Sequence, residues 1–130
     1  MREVAPPSGQ MPPEEVRRPD GSELPLRPIA ERASERHLET HADELARYGP
    51  HARDWCVHDL QWLLLWAVQD ADGQGVDFDA QVRWLASVLG ARDYPLASLA
   101  DALETLAGEV EGVAAGAAGR LRDGAVLVRP

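Results

Sequence analysis

At 130 residues and a formal charge of −9, the chain has room for one domain, and its surface repels phosphate backbones. Direct binding to nucleic acid or to an anionic membrane is disfavoured on that ground, and a basic protein partner fits better. Hydrophobic residues at 45% and charged residues at 27% give the balance of a chain that folds. The one cysteine, Cys56, rules out an intramolecular disulfide and a cysteine-rich zinc site and suits a reducing compartment. MREVAPPSGQ lacks the apolar stretch of a leader, and the longest apolar run, 62–68, is too short for a bilayer. The expected location is the cytoplasm.

In chain order, residues 1–28 carry Pro6, Pro7, Pro12, Pro13, Pro19, Pro25 and Pro28 with mixed charge and little apolar content, which predicts a disordered, proline-rich arm. A helical bundle domain is expected over 29–121 and a C-terminal tail over 122–130. The first helix should run over 29–48, where Ala30, Ala33, His37, Leu38, His41, Leu45 and Tyr48 recur at spacings of three and four. Gly49 supplies a stop and Pro50 an opening for the next helix.

The second helix, over 51–70, contains LQWLLLWAV and is apolar nearly all round, so its neighbours must cover it on several sides. The acids of Asp70-Ala71-Asp72-Gly73-Gln74-Gly75 resemble a calcium loop only superficially, because the spacing and the downstream glutamate of an EF-hand are missing. A third helix over 78–91 places Phe78, Val82, Leu85 and Leu89 on one stripe, to lie against the second. Pro95 opens a fourth with Leu96, Leu99, Leu103, Leu106, Val110 and Val113 in a three-four rhythm. Beyond Gly108 the glycines weaken helix propensity, so the end of this helix is frayed or closely packed. Ala125-Val126-Leu127-Val128 reads as a segment that docks on the bundle or on a second subunit. The fold class is all-α, a four-helix bundle with a globin-like arrangement as one option.

Chemistry is sparse. His37 and His41 are four apart and share a helix face, yet two ligands do not close a metal site, and the positions of Asp43, His51, Cys56 and His58 match no zinc spacing. No metal is therefore assigned. Cys56 and His58 are two apart and point in different directions on a helix. No serine elbow, phosphate-cradling loop or HExxH occurs, so the chain reads as no enzyme. The unusual feature is four tryptophans, Trp55, Trp62 and Trp66 on the second helix and Trp84 on the third. They fill the core, form a dimer or partner surface or, with His41, wall a pocket for a flat apolar ligand, with packing and interface favoured over the pocket.

The pieces His37-Leu38 with His41, Arg47-Tyr48-Gly49, Arg53, Cys56-Val57-His58-Asp59, Leu64-Leu65-Trp66, Phe78 through Leu85 and Pro95 through Leu99 occur in order over 31–110. Together they resemble a bacterial helical sensor-like domain family often found N-terminal to cobalamin-binding domains. The expectation is a stand-alone module without the cobalamin-binding domain, and Leu63 occupies a position where the family has histidine. The resemblance implies a regulatory module. The functional expectation is a non-catalytic regulatory or protein-interaction module that self-associates as a homodimer or binds a partner protein. The alternative is a sensor binding a flat apolar ligand or tetrapyrrole, haem or cobalamin, between the second and third helices. No cofactor is required by the first reading.

Overall fold

In the computed structural model, which describes residues 11–130, the chain is an all-α protein preceded by a small hairpin. Strands β1 (Glu15–Arg17) and β2 (Glu23–Pro25) pair antiparallel, with Val16 opposite Leu24. Both of these side chains are buried, while their strand neighbours face solvent. The turn is built by Arg18-Pro19-Asp20-Gly21-Ser22: Gly21 takes φ +87°, Arg18 N donates to Ser22 O at 2.8 Å, and Asp20 accepts from the Ser22 backbone. Arg18 then grips Asp72 through Nε and Nη2, at 3.0 and 2.9 Å, and reaches the carbonyl of Val113. Gln61 donates to the carbonyl of Pro13 at 2.7 Å.

The expected disordered arm is therefore overturned from Met11 onward, and residues 1–10 lie outside the described part. Among the described residues, Pro12, Pro13, Pro19, Pro25 and Pro28 stand where a missing N–H costs little: before β1, in the turn, at the end of β2 and in the first turn of a helix.

Helix α1 (Leu26–Thr40) buries Leu26, Ile29, Ala30, Ala33, His37 and Leu38 along one stripe. It stops at His41, which takes φ −126° and ψ 52°. The carbonyl of His37 there accepts from the backbone N–H of His41 at 2.9 Å and from Thr40 Oγ1 at 3.1 Å, with His41 Nδ1 also 3.1 Å away. Side chains that bond their own preceding turn compete with helix continuation, and the chain bends. The single helix expected over 29–48 is thus two, and α2 (Ala42–Tyr48) is a separate seven-residue piece. Gly49, at φ +76°, and Pro50 form the short turn into the next helix.

Helix α3 (Ala52–Ala71) is the centre of the molecule, with Val57, Leu60, Leu63, Leu64, Leu65, Trp66, Ala67 and Val68 all buried. Its terminal acids are engaged structurally. Asp70 Oδ2 accepts from the Phe78 N–H at 2.7 Å, and Asp70 Oδ1 from Arg120 at 3.0 Å. Helix α4 (Phe78–Ala91) is capped by Asp77, which accepts from the Ala80 N–H, and buries Phe78, Val82, Leu85 and Leu89. Helix α5 (Leu96–Val110) buries Leu99, Leu103, Leu106 and Val110 of the expected rhythm, whereas Leu96 is half-buried and Val113 lies beyond the helix and is exposed.

The expected tail over 122–130 is also overturned. Residues up to Val128 belong to a further helix, α6 (Ala115–Val128), which buries Ala117, Ala118, Leu121, Gly124, Ala125 and Val128. Its small residues let it approach closely: a Cβ at Gly124 would stand 2.8 Å from the ring of Phe78, and one at Gly116 3.3 Å from Ala71. The four-membered bundle is accordingly α1, α3, α5 and α6. Helix α3 packs on α1 and α6, α5 packs on the same two, and α4 lies outside against α6 and α3. Among the described residues, no helix is long and apolar enough to cross a membrane.

Candidate functional site

The most polar part of the interior lies where α1, α2, α5 and the α4–α5 connection meet. Helix α2 buries one residue only, Glu44. Its Oε2 is 2.6 Å from His37 Nε2, and its Oε1 accepts from the Tyr94 hydroxyl at 2.9 Å. His37 is wholly buried, and its Nδ1 has no partner among the described residues. A proton on Nδ1 would be a buried donor without an acceptor, so the arrangement fits the tautomer that carries its proton on Nε2 and donates it to Glu44. Burial alone would raise the Glu44 carboxyl. The hydrogen bond from His37, the hydroxyl of Tyr94 and the electrostatic influence of the two neighbouring imidazoles outweigh it and hold the group below its ordinary value.

His41 stacks on His37, with ring centroids 4.1 Å apart and planes within 14°. Its Nε2 is 3.0 Å from Asp101 Oδ2 on α5, and Arg129 donates to the other oxygen of Asp101 at 3.1 Å. Burial would raise the Asp101 carboxyl, but Arg129 and His41 hold it down. The two imidazoles thus each face a carboxylate from a different element. Among the described residues, no group of three or more histidines, cysteines and acids is arranged to hold a metal ion.

Beside this network lies a cavity of about 20 Å3 walled by Glu44, Tyr48, Cys56, Asp59 and Tyr94, with an aliphatic floor of Leu60, Leu63, Leu89 and Leu99. That volume suits about one water molecule and is more than tenfold below the roughly 300 Å3 at which small-molecule pockets begin. No tryptophan lines it.

The predicted site residues do not converge. Trp62 and Trp66 are neighbours on α3, 5.6 Å apart, with Trp66 buried and Trp62 half-buried. Trp55 lies further up α3, half-buried, with its ring 6.4 Å from Tyr48 and 5.8 Å from His51. Trp84 is on α4, half-buried and packed on the core. His41 belongs to the imidazole stack at the α1–α2 bend. Along α3, the step of 100° per residue sets Trp55, His58, Trp62, Trp66 and Gln69 on one side, and all but the buried Trp66 retain solvent contact.

Sequence reasoning missed Glu44 and Tyr94. The available signal was an acid seven residues after His37 and three after His41, in a segment with few apolar residues to bury. No protein-family model, curated protein or solved structure matches the chain.

Proposed function

We propose that the chain is a non-catalytic interaction module that binds a protein partner with a basic surface through the outer side of α3. The observation that carries this reading is Trp62, an indole that packs on the core and yet keeps part of its surface in solvent, on a helix whose following residues, Leu63 to Val68, are all buried. Partly exposed tryptophans are typical anchors of protein interfaces, where one indole accounts for about 2 kcal/mol or more of binding.

Charge supports a basic partner. Most arginines among the described residues are held by carboxylates of the same chain, including Arg18 by Asp72, Arg53 by Glu35, Arg120 by Asp70 and Arg129 by Asp101. Glu39, Asp43, Asp54, Asp79 and Asp123 remain at the surface, so the excess negative charge faces solvent. Asp54 adjoins Trp55 and carries this charge to the aromatic side of α3.

The test compares the wild type with Trp62→Ala as bait under native conditions, with light scattering of each; a homodimer, which pairs two acidic copies, counts against a basic partner. The expected result is a partner retained by the wild type and lost by about 30-fold in affinity in Trp62→Ala, at equal thermal stability. Equal capture by both proteins, or a monomer that retains nothing, refutes the proposal.

A further inference from the structure

We infer that α2 is a hinged strap, latched to the bundle by the Glu44 carboxylate, which closes an aliphatic slot between α3, α4 and α5. A helix of seven residues does not persist in water by itself, so α2 holds its place by what it touches. Ordinary helices dock through an apolar stripe. This one presents Leu45 to solvent at 43% exposure, leaves Asp43, Ala46 and Arg47 outside, and buries the carboxylate of Glu44 alone.

That carboxylate spans the gap in both directions, to His37 on α1 and to Tyr94 beyond α4. Both ends of the strap are bends. His41 leaves the helical region at φ −126°, and Gly49 holds φ +76°, a conformation that glycine adopts without strain. The remaining attachments are at the lower end: the Tyr48 ring lies against Tyr94 and Trp55, and Arg47 donates to the Asp93 carbonyl at 3.3 Å.

Beneath the strap lies the 20 Å3 cavity with its floor of Leu60, Leu63, Leu89 and Leu99. Glu44 and Tyr48 belong to the strap and form part of the cavity wall, so movement of α2 about its two bends removes that wall and opens the floor to solvent. Cys56, on α3, forms another part of the wall and remains behind as a built-in reporter. This device shares with the tryptophan side of α3 the contact of Tyr48 with Trp55, but neither its latch nor its cavity includes Trp62, so it stands whether or not Trp62 anchors a partner.

The experiment is the rate at which Cys56, in the full chain under native conditions, reacts with a neutral aromatic disulfide. Loss of both charge-assisted bonds in Glu44→Ala should raise the rate by about tenfold or more, with the cooperative melting of the bundle retained. Tyr94→Phe removes one of the two bonds and should fall between that variant and the wild type. Leu121→Ala, a core truncation on α6, controls for general loosening and should leave the Cys56 rate within about twofold of the wild type.

Native-state amide exchange of the wild type provides a readout that needs no variant to fold. Residues 45–48 should exchange through an opening that denaturant barely affects, while 60–68 exchange only by global unfolding. An unchanged Cys56 rate in Glu44→Ala, a rise in Leu121→Ala as large as in Glu44→Ala, or equal exchange free energies for the two segments overturns the inference.

Discussion

Replacing Gly124 with alanine should destabilise the protein, although a glycine-to-alanine change inside a helix ordinarily does the opposite. In an unobstructed helix interior the change gains about 0.5–1 kcal/mol. At Gly124, the new methyl would lie 2.8 Å from Phe78 Cε2, 3.5 Å from Cζ and 3.7 Å from Val82 Cγ2. Phe78 is fully buried, and its backbone N–H is tied to Asp70, so the ring cannot retreat without shifting the start of α4. Overpacking of this kind costs about 1–3 kcal/mol, leaving a net loss centred on about 1 kcal/mol. Thermal unfolding followed by circular dichroism should show Tm lowered by about 2–8 °C.

Gly119→Ala, on the same helix with no atom within 4 Å of the added carbon, should instead raise Tm by a few degrees. Adding Phe78→Leu to Gly124→Ala should recover part of the loss relative to additivity, by about 0.5 kcal/mol or more. Equal stabilisation by both glycine replacements would refute the close packing of α6 on Phe78.

Arg18→Ala should release the hairpin by removing a bidentate, largely covered ion pair and the bond to Val113, at about 1–2 kcal/mol, and limited proteolysis should then cut within 15–25 while the helices survive. Acid should weaken the bundle in a defined way. Glu44 and Asp101 have folded pKa values below their ordinary 4.5 and 3.8, so their contributions are complete above those values and vanish as pH falls through the lower folded values. Denaturant titrations at pH 6, 4 and 3 should show stability decreasing on acidification, with a shallower decrease in Glu44→Gln, whose side chain does not titrate. Asp70→Asn should likewise lower stability near neutral pH, because the Phe78 N–H and Arg120 share that carboxylate, and chemical denaturation measures the loss.

Helix content was legible because large apolar residues repeat at helical spacing in α1, α3, α4 and α5, and because Gly49-Pro50 and Pro95 punctuate them. The all-round apolar pattern of α3 correctly required cover on several sides. Three features were hidden for identifiable reasons. The hairpin was masked by prolines that sit at strand ends and in the turn, while Val16 and Leu24 supply only one apolar residue per strand. Helix α6 was masked because close packing replaced the usual leucine stripe with Gly116, Ala117, Ala118, Gly124 and Ala125, whose small volumes read as weakness until their neighbours are known. The bend at His41 was masked because Thr40 and His41 bond the carbonyl of His37, a choice among side-chain partners that periodicity does not register.

The candidate site was less legible than the fold. Tryptophan count singled out α3, but how far each indole is covered depends on tertiary packing, as where Tyr48 of α2 lies against Trp55. Glu44 was passed over because acids on a helix usually face water. Its burial follows from Tyr94, which is fifty residues away in the chain and enters only when α4 and α5 turn back.

The central claim is that the outer side of α3 is covered by a partner where the protein works. Radical footprinting of indole oxidation, performed on the purified chain and on the same chain in its native cells, measures this whatever protein the partner is. The account predicts that Trp62 is protected several-fold in cells, with Trp55 following it, while the exposed Met11 oxidises equally in both settings. Identical oxidation of Trp62 in the two settings would contradict it.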